Sequence, residues 1–99
     1  MAEWIYFLHP PRANFADTIT DAEGLVFSAH FDRLKLLLDE GILIMAGPTL
    51  GDNNTGIAVF EADDEETAQR VMAADPVIAT GICEGELRPY RVSLLRGRD

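Results

Sequence analysis

Two polar residues, His30 and Asp75, occupy positions where the surrounding pattern calls for apolar ones. On a helical projection Val26, Phe27, His30, Phe31, Leu34, Leu37 and Leu38 share one broad arc, with His30 near its middle. Asp75 continues Ala68, Val71 and Met72 at the i, i+3, i+4, i+7 spacing of a second helix. If both helices pack on one face of a sheet, the two side chains can meet. An unpaired buried carboxylate is costly and raises its own pKa. At the C-terminal end of a helix the dipole disfavours negative charge as well. Asp75 therefore calls for a partner, and His30 is the available cation. The chemistry of such a dyad is proton transfer: Asp75 orients the imidazole, and His30 carries a proton to or from a substrate. A purely structural pair, or an Asp75 that only caps the turn before Pro76, uses the same residues. Spacing alone favours that structural reading.

Other residues with reactive chemistry are fewer. His9 closes the first strand and Arg12 follows it, both placed to reach the mouth of the same pocket. Phe7, Phe27 and Phe31 are the candidate pocket walls, and Gly47-Pro48 opens a polar loop able to lid the site. His9, His30 and Cys83 share no metal-ligand spacing, so no metal is expected. Cys83 is the only cysteine, which excludes an intrachain disulfide and a CxxC site. A lone cysteine of this kind reads as a small buried hydrophobe. There is no GxSxG, P-loop or GxGxxG motif, and no cofactor is expected.

The elements that must position these residues follow from periodicity and punctuation. Glu3–His9 reads as a strand that stops at Pro10-Pro11. A polar loop runs from Arg12 to about Thr18. The first helix starts at Thr20 or Asp21, where Thr20 and Glu23 fit a capping box, and ends at Glu40 before Gly41. Leu25 and Leu36 lie on its polar side without an evident partner. Ile42–Ala46 is the second strand, ended by Gly47-Pro48, and Gly51-Asp52-Asn53-Asn54 is a turn. Thr55–Ala62 is the third strand. Asp63 caps a second helix running to about Ala74, which Asp75-Pro76 ends. Val77–Gly81 is a short turn or single helical turn, and the last strand lies within Glu86–Leu95.

The order β-α-β-β-α-β is the split βαβ pattern, an α+β ferredoxin-like fold with a four-stranded antiparallel sheet and two helices on one face. Two helices cover only one face, yet Ile5 and Phe7 alternate with Trp4, Tyr6 and Leu8, and Ile42 and Ile44 with Leu43 and Met45. Tyr90, Val92 and Leu94 fit either face. A sheet with one wet face alternates apolar with polar. A second copy of the chain is the economical cover for the other face, which implies a two-fold dimer or a larger homo-oligomer.

Composition bounds the remaining classes. The 99 residues are room for one domain, 1–99, and 47% apolar content excludes disorder. The net charge of −9 argues against nucleic acid and against anionic membrane surfaces as partners. The run Glu61–Glu66 falls at a helix start, where negative charge is favourable. No stretch reaches the ~20 apolar residues of a membrane span, and the N-terminus has no signal-peptide pattern. The cytoplasm is the expected compartment.

Three motifs then carry a resemblance: His30-Phe31-Asp32-Arg33-Leu34, Gly41-Ile42-Leu43 with Ala46-Gly47-Pro48, and Ala74-Asp75-Pro76-Val77 followed by Leu87-Arg88-Pro89-Tyr90. In this order they resemble the YciI-like (YCII-related) family, over nearly the whole chain. The resemblance implies a ferredoxin-like dimer similar to the dimeric α+β barrels. It also implies an active site centred on a His and an Asp, which match His30 and Asp75. Some members of that family dehydrochlorinate chlorinated hydroxyquinols. Many carry an Arg three residues before the His, where this chain has Phe27, so any anion contact there would fall to Arg12 or Arg88. The implied function is cofactor-free elimination or isomerisation of a small organic molecule. A non-catalytic, ligand-binding dimer is the alternative that Phe27 favours.

Overall fold

A computed structural model describes residues 2–97. Strand β1 (Ala2–His9) is followed by a single helical turn, α1 (Phe15–Thr18), and the long helix α2 (Asp21–Asp39). Strands β2 (Leu43–Pro48) and β3 (Gly56–Ala62) form a hairpin. Helix α3 (Glu65–Ala73), the one-turn α4 (Pro76–Ala79) and strand β4 (Glu84–Tyr90) complete the described chain. The sheet order is β2-β3-β1-β4 and every pairing is antiparallel. This is the ferredoxin-like α+β fold.

The long helix starts where its sequence says it must. Thr20 accepts from the Glu23 amide at 3.1 Å, and Glu23 accepts from the Thr20 amide at 2.8 Å. This reciprocal box satisfies two backbone donors that a helix leaves open. Gly41, at φ +78°, turns the chain out of α2. Period-two alternation in β1 sends Trp4, Tyr6 and Leu8 toward the helices, opposite Phe60, Ala58 and Gly56 of β3. There they form the core with Leu34 and Leu37 of α2 and Ala68 and Met72 of α3.

Several boundaries differ from the sequence reading. Strand β2 does not stop at Ala46 but includes Gly47 and Pro48, which pair with Ile57 and Gly56. Because β2 is an edge strand, the N–H that proline lacks interrupts no inner ladder. A bulge between Leu43 and Met45 explains why this segment shows no alternation. Asp64, not Asp63, caps α3, accepting from the Thr67 amide at 2.8 Å. Strand β4 starts at Glu84, and its register against β1 ends at Glu3↔Tyr90. Val92 and Leu94 therefore lie beyond the strand, and Leu94 is fully exposed. The loop after β1 contains a helical turn, and its Phe15 is buried.

The arc of α2 is narrower than its apolar composition. Leu34 and Leu37 are buried, whereas Phe31 and Leu38 are more than half exposed. Leu25 and Leu36 are exposed as well. The sheet face turned away from the helices carries Ile5, Phe7, Ile57 and Val59 in facing positions, so the sheet is apolar on both sides.

Candidate active site

Helix α2 brings His30 over the sheet, and the short connection between α3 and α4 brings Asp75 under it. Asp75 does not sit on the last turn of α3. The helix ends at Ala73, and Asp75 is the N-cap of α4, accepting from the Val77 amide at 3.1 Å. Its negative charge therefore faces a helical N-terminus, where backbone N–H groups favour it. The capping and pairing roles, set as alternatives by the sequence, coexist in one carboxylate.

Asp75 is fully buried. His30 Nδ1 lies 2.8 Å from both of its oxygens. The Tyr6 hydroxyl donates to Oδ2 at 2.6 Å. Burial acts to raise the Asp75 pKa, but the hydrogen bonds from His30 and Tyr6 outweigh it and hold the carboxyl below the usual range. The same environment acts on Tyr6 in the opposite sense: burial, then the Asp75 charge, pushes its phenol well above the ordinary value. Tyr6 is thus a fixed donor. The Phe27 ring meets the imidazole edge-on at 5.4 Å between centroids and limits its rotation.

His30 also lines a cavity of about 700 Å³ between α2 and the β2–β3 half of the sheet. Its walls are mostly apolar: Leu8, Phe15, Phe27, Leu34 and Leu43 inside, with Phe31, Leu38 and Met45 at the exposed rim. Lys35, Asn54 and Cys83 supply the other polar side chains. Burial, with the Asp75 and Glu23 charges, pushes the Cys83 thiol up to about 11. Among the described residues no three His, Cys, Asp or Glu side chains gather as a metal site.

Phe27, Phe31, Gly47 and Pro48 line this cavity, and His30 and Asp75 meet beside it. His9, Arg12 and Phe7 do not line it. Alternation along β1 puts Phe7 and His9 on the opposite sheet face, where their rings stack and His9 pairs with Glu86 at 2.9 Å. Arg12 is engaged in the loop: it holds Glu23 through two bonds of 2.9 and 2.7 Å, donates to Thr18, and lies over the Phe15 ring. This clamp, together with the capping-box bond, holds the Glu23 carboxyl down to about 2. Arg88 lies on the outer face with Glu86 and does not line the cavity either. Neither arginine therefore lines the cavity beside Phe27. Tyr6 was missed from sequence, although its inward parity with Trp4 and Leu8 was visible, and a buried hydroxyl demands a partner.

The sequence model of the YCII-related domain matches residues 7–91. This chain belongs to the YCII-related family. "Protein YciI" of Escherichia coli O6:H1 is 38% identical over 73 residues, covering 64% of this chain and 74% of that protein. The protein of the same name from Shigella flexneri matches equally. Among solved structures, the 5-chloro-2-hydroxyhydroquinone dehydrochlorinase of Burkholderia phenoliruptrix AC1100, in complex with 2,5-dihydroxybenzoquinone, is similar in fold. Its TM-score is 0.67 at 19% identity, covering 92% of this chain and 94% of that one. Among the described residues no helix is long and apolar enough to cross a membrane.

Proposed function

We propose that this YCII-related protein is an acid–base enzyme acting on a small, largely apolar organic molecule without a cofactor. The observation that carries this is the His30–Asp75 contact at 2.8 Å on the wall of an apolar cavity. Asp75 accepts a hydrogen bond from Nδ1–H, which fixes the tautomer and leaves the Nε2 lone pair for substrate. Nε2 removes a proton from a carbon or hydroxyl acid. The released electron pair either forms a double bond and expels an anion such as chloride, or picks up a proton at another atom. The first outcome is elimination and the second isomerisation. The fold shared with a dehydrochlorinase supports the elimination arm. Catalytic roles fall to His30 and Asp75, and Phe27, Gly47 and Pro48 shape the substrate space.

The working unit in this reading is a cytoplasmic homodimer in which a second copy covers Phe7 and Ile57, the half-buried apolar side chains of the outer sheet face, where Ile5 and Val59 are already buried within one chain. A non-catalytic binding role is the second reading, favoured by an apolar Phe27 on the cavity wall where many members of the family carry an arginine.

The decisive experiment is chloride release from 5-chloro-2-hydroxyhydroquinone and related chlorinated hydroxyquinols, by wild type and His30→Ala. Loss of one acid–base group lowers the rate ~10²–10⁴-fold. Turnover undiminished in His30→Ala removes the dyad from the mechanism. Tight binding of these compounds with no turnover by wild type establishes the binding role instead.

A further inference from the structure

We propose that Lys35 anchors the substrate, so that the cavity selects a ring-sized apolar molecule bearing one carboxylate over its neutral counterpart. This names the substrate class of the site proposed above and rests on that reading for the chemistry at His30. The chain carries 17 Asp and Glu against 8 Lys and Arg, a net charge of −9. Yet among the described residues no Asp or Glu lines the cavity of about 700 Å³. Lys35 is the one Lys or Arg among those that do. A wall free of carboxylates and holding a cation, on a body this acidic, is complementary to an anion.

Lys35 is placed to serve the same molecule as His30. Both stand on α2 and both line the cavity. Five residues separate them, which is about 7.5 Å along the helix axis. A substituted ring spans a distance of that order. Lys35 Nζ lies 5.1 Å from the centre of the Phe31 ring, which also lines the cavity. This cation–π contact steadies the ammonium at the rim. The ion pair of Lys35 with Asp32, three residues earlier, is 3.4 Å long, and both side chains are well exposed. A pair so open to solvent is weak, so a ligand carboxylate can replace Asp32. Asp32 itself does not line the cavity.

The other polar side chains on the wall are committed elsewhere. Asn54 donates to the Thr49 and Gly51 carbonyls at 3.2 and 3.1 Å and accepts from the Ala16 amide at 3.0 Å. Cys83 keeps its proton, since burial pushes its thiol up to about 11. His30 is tied through Nδ1 to Asp75. Lys35 is left as the charged donor for an incoming acid. A carboxylic acid with a pKa of about 4 brings a full charge at neutral pH, whereas a phenol at about 10 brings almost none. The carboxylate stays at the exposed rim, where water still solvates it, and the apolar body enters toward Phe27 and His30.

The test is the binding of 2-naphthoate and its neutral isostere 2-naphthamide at neutral pH and low salt. Backbone amide chemical shifts report affinity and location in wild type, Lys35→Met and Lys35→Arg. Wild type is expected to bind the acid about three- to fivefold more tightly than the amide, the size of an exposed ion pair at its upper range. The shifts are expected at cavity residues, and the advantage shrinks as salt is added. Lys35→Met is expected to bind the acid no more tightly than the amide, and Lys35→Arg to keep the preference. Equal affinity of wild type for the two compounds, binding of neither, or a preference that survives in Lys35→Met overturns the proposal. None of these readouts uses turnover. The anchor fails on the Lys35→Met preference and the proton-transfer reading fails on His30→Ala turnover, so the two failures are distinguishable.

Discussion

The Tyr6 hydroxyl donates to Asp75 Oδ2 at 2.6 Å, across the layer between sheet and helices. This bond ties the central strand to the carboxylate that holds His30. Replacing Tyr6 with Phe removes a donor from a buried charged acceptor and puts nothing in its place. Hydrogen bonds to charged groups contribute about 1.5–3 kcal/mol. Urea unfolding of Tyr6→Phe should show a loss of that size with an unchanged m-value. Stability equal to wild type would mean that the hydroxyl does not serve the carboxylate.

Acid should act through Asp75. Its carboxyl is held below the ordinary value in the folded protein, so its stabilising contribution is complete above the unfolded pKa of ~3.9. The contribution is lost as pH falls through the lower folded value. Unfolding measured from pH 6 to pH 2 should therefore show a shallower acid slope for Asp75→Asn than for wild type. Glu23 and Asp64, whose pKa values are also lowered, carry the remaining slope in both proteins. Parallel slopes would contradict the pairing.

Cys83 should be slow to react. A thiol at about 11 is a thiolate far less often at pH 8 than an unfolded cysteine at ~8.5. Alkylation of the native protein should run at least about two orders of magnitude slower than in 6 M guanidinium, a denaturant level that exposes the chain. The sign for stability follows. Between the unfolded and folded values the unfolded chain releases the proton first, so this contribution is present at lower pH and is lost as pH rises from about 8.5 toward 11. Equal native and denatured rates would place Cys83 in solvent.

The second face of the sheet should control assembly. Phe7 and Ile57 face each other there, and Phe7, unlike Ile57, does not line the cavity. Sedimentation of wild type at micromolar concentration should show a dimer, and Phe7→Lys should shift it to monomer while far-UV circular dichroism is retained. A folded wild-type monomer would leave the apolar face without its occupant.

Much of this architecture was legible from residue order. Thr20 with Glu23, Gly41 and Asp75-Pro76 punctuate the chain at the places where helices start or stop. Boundaries failed where tertiary context overrode a local signal. Pro48 reads as a terminator but is tolerated at a sheet edge, and Val92 and Leu94 read as strand but outrun the eight residues of β1 available for pairing. His9 failed for a related reason. Proximity along the chain suggested the pocket, while strand parity sent the ring to the other face.

Residue order alone put His30 on the inward arc of its helix, whereas Asp75, which the periodicity of α3 also pointed inward, reaches the interior as the N-cap of α4. Residue order also determined the order of elements and the two-sided apolar sheet. The tertiary structure decided what surrounds the carboxylate. Tyr6, His30 and the Val77 amide come from three separate segments, and no local pattern encodes their convergence on Asp75. Contacts between distant segments depend on how helices and strands pack in space, and they set which groups around Asp75 hold charge and which hold protons.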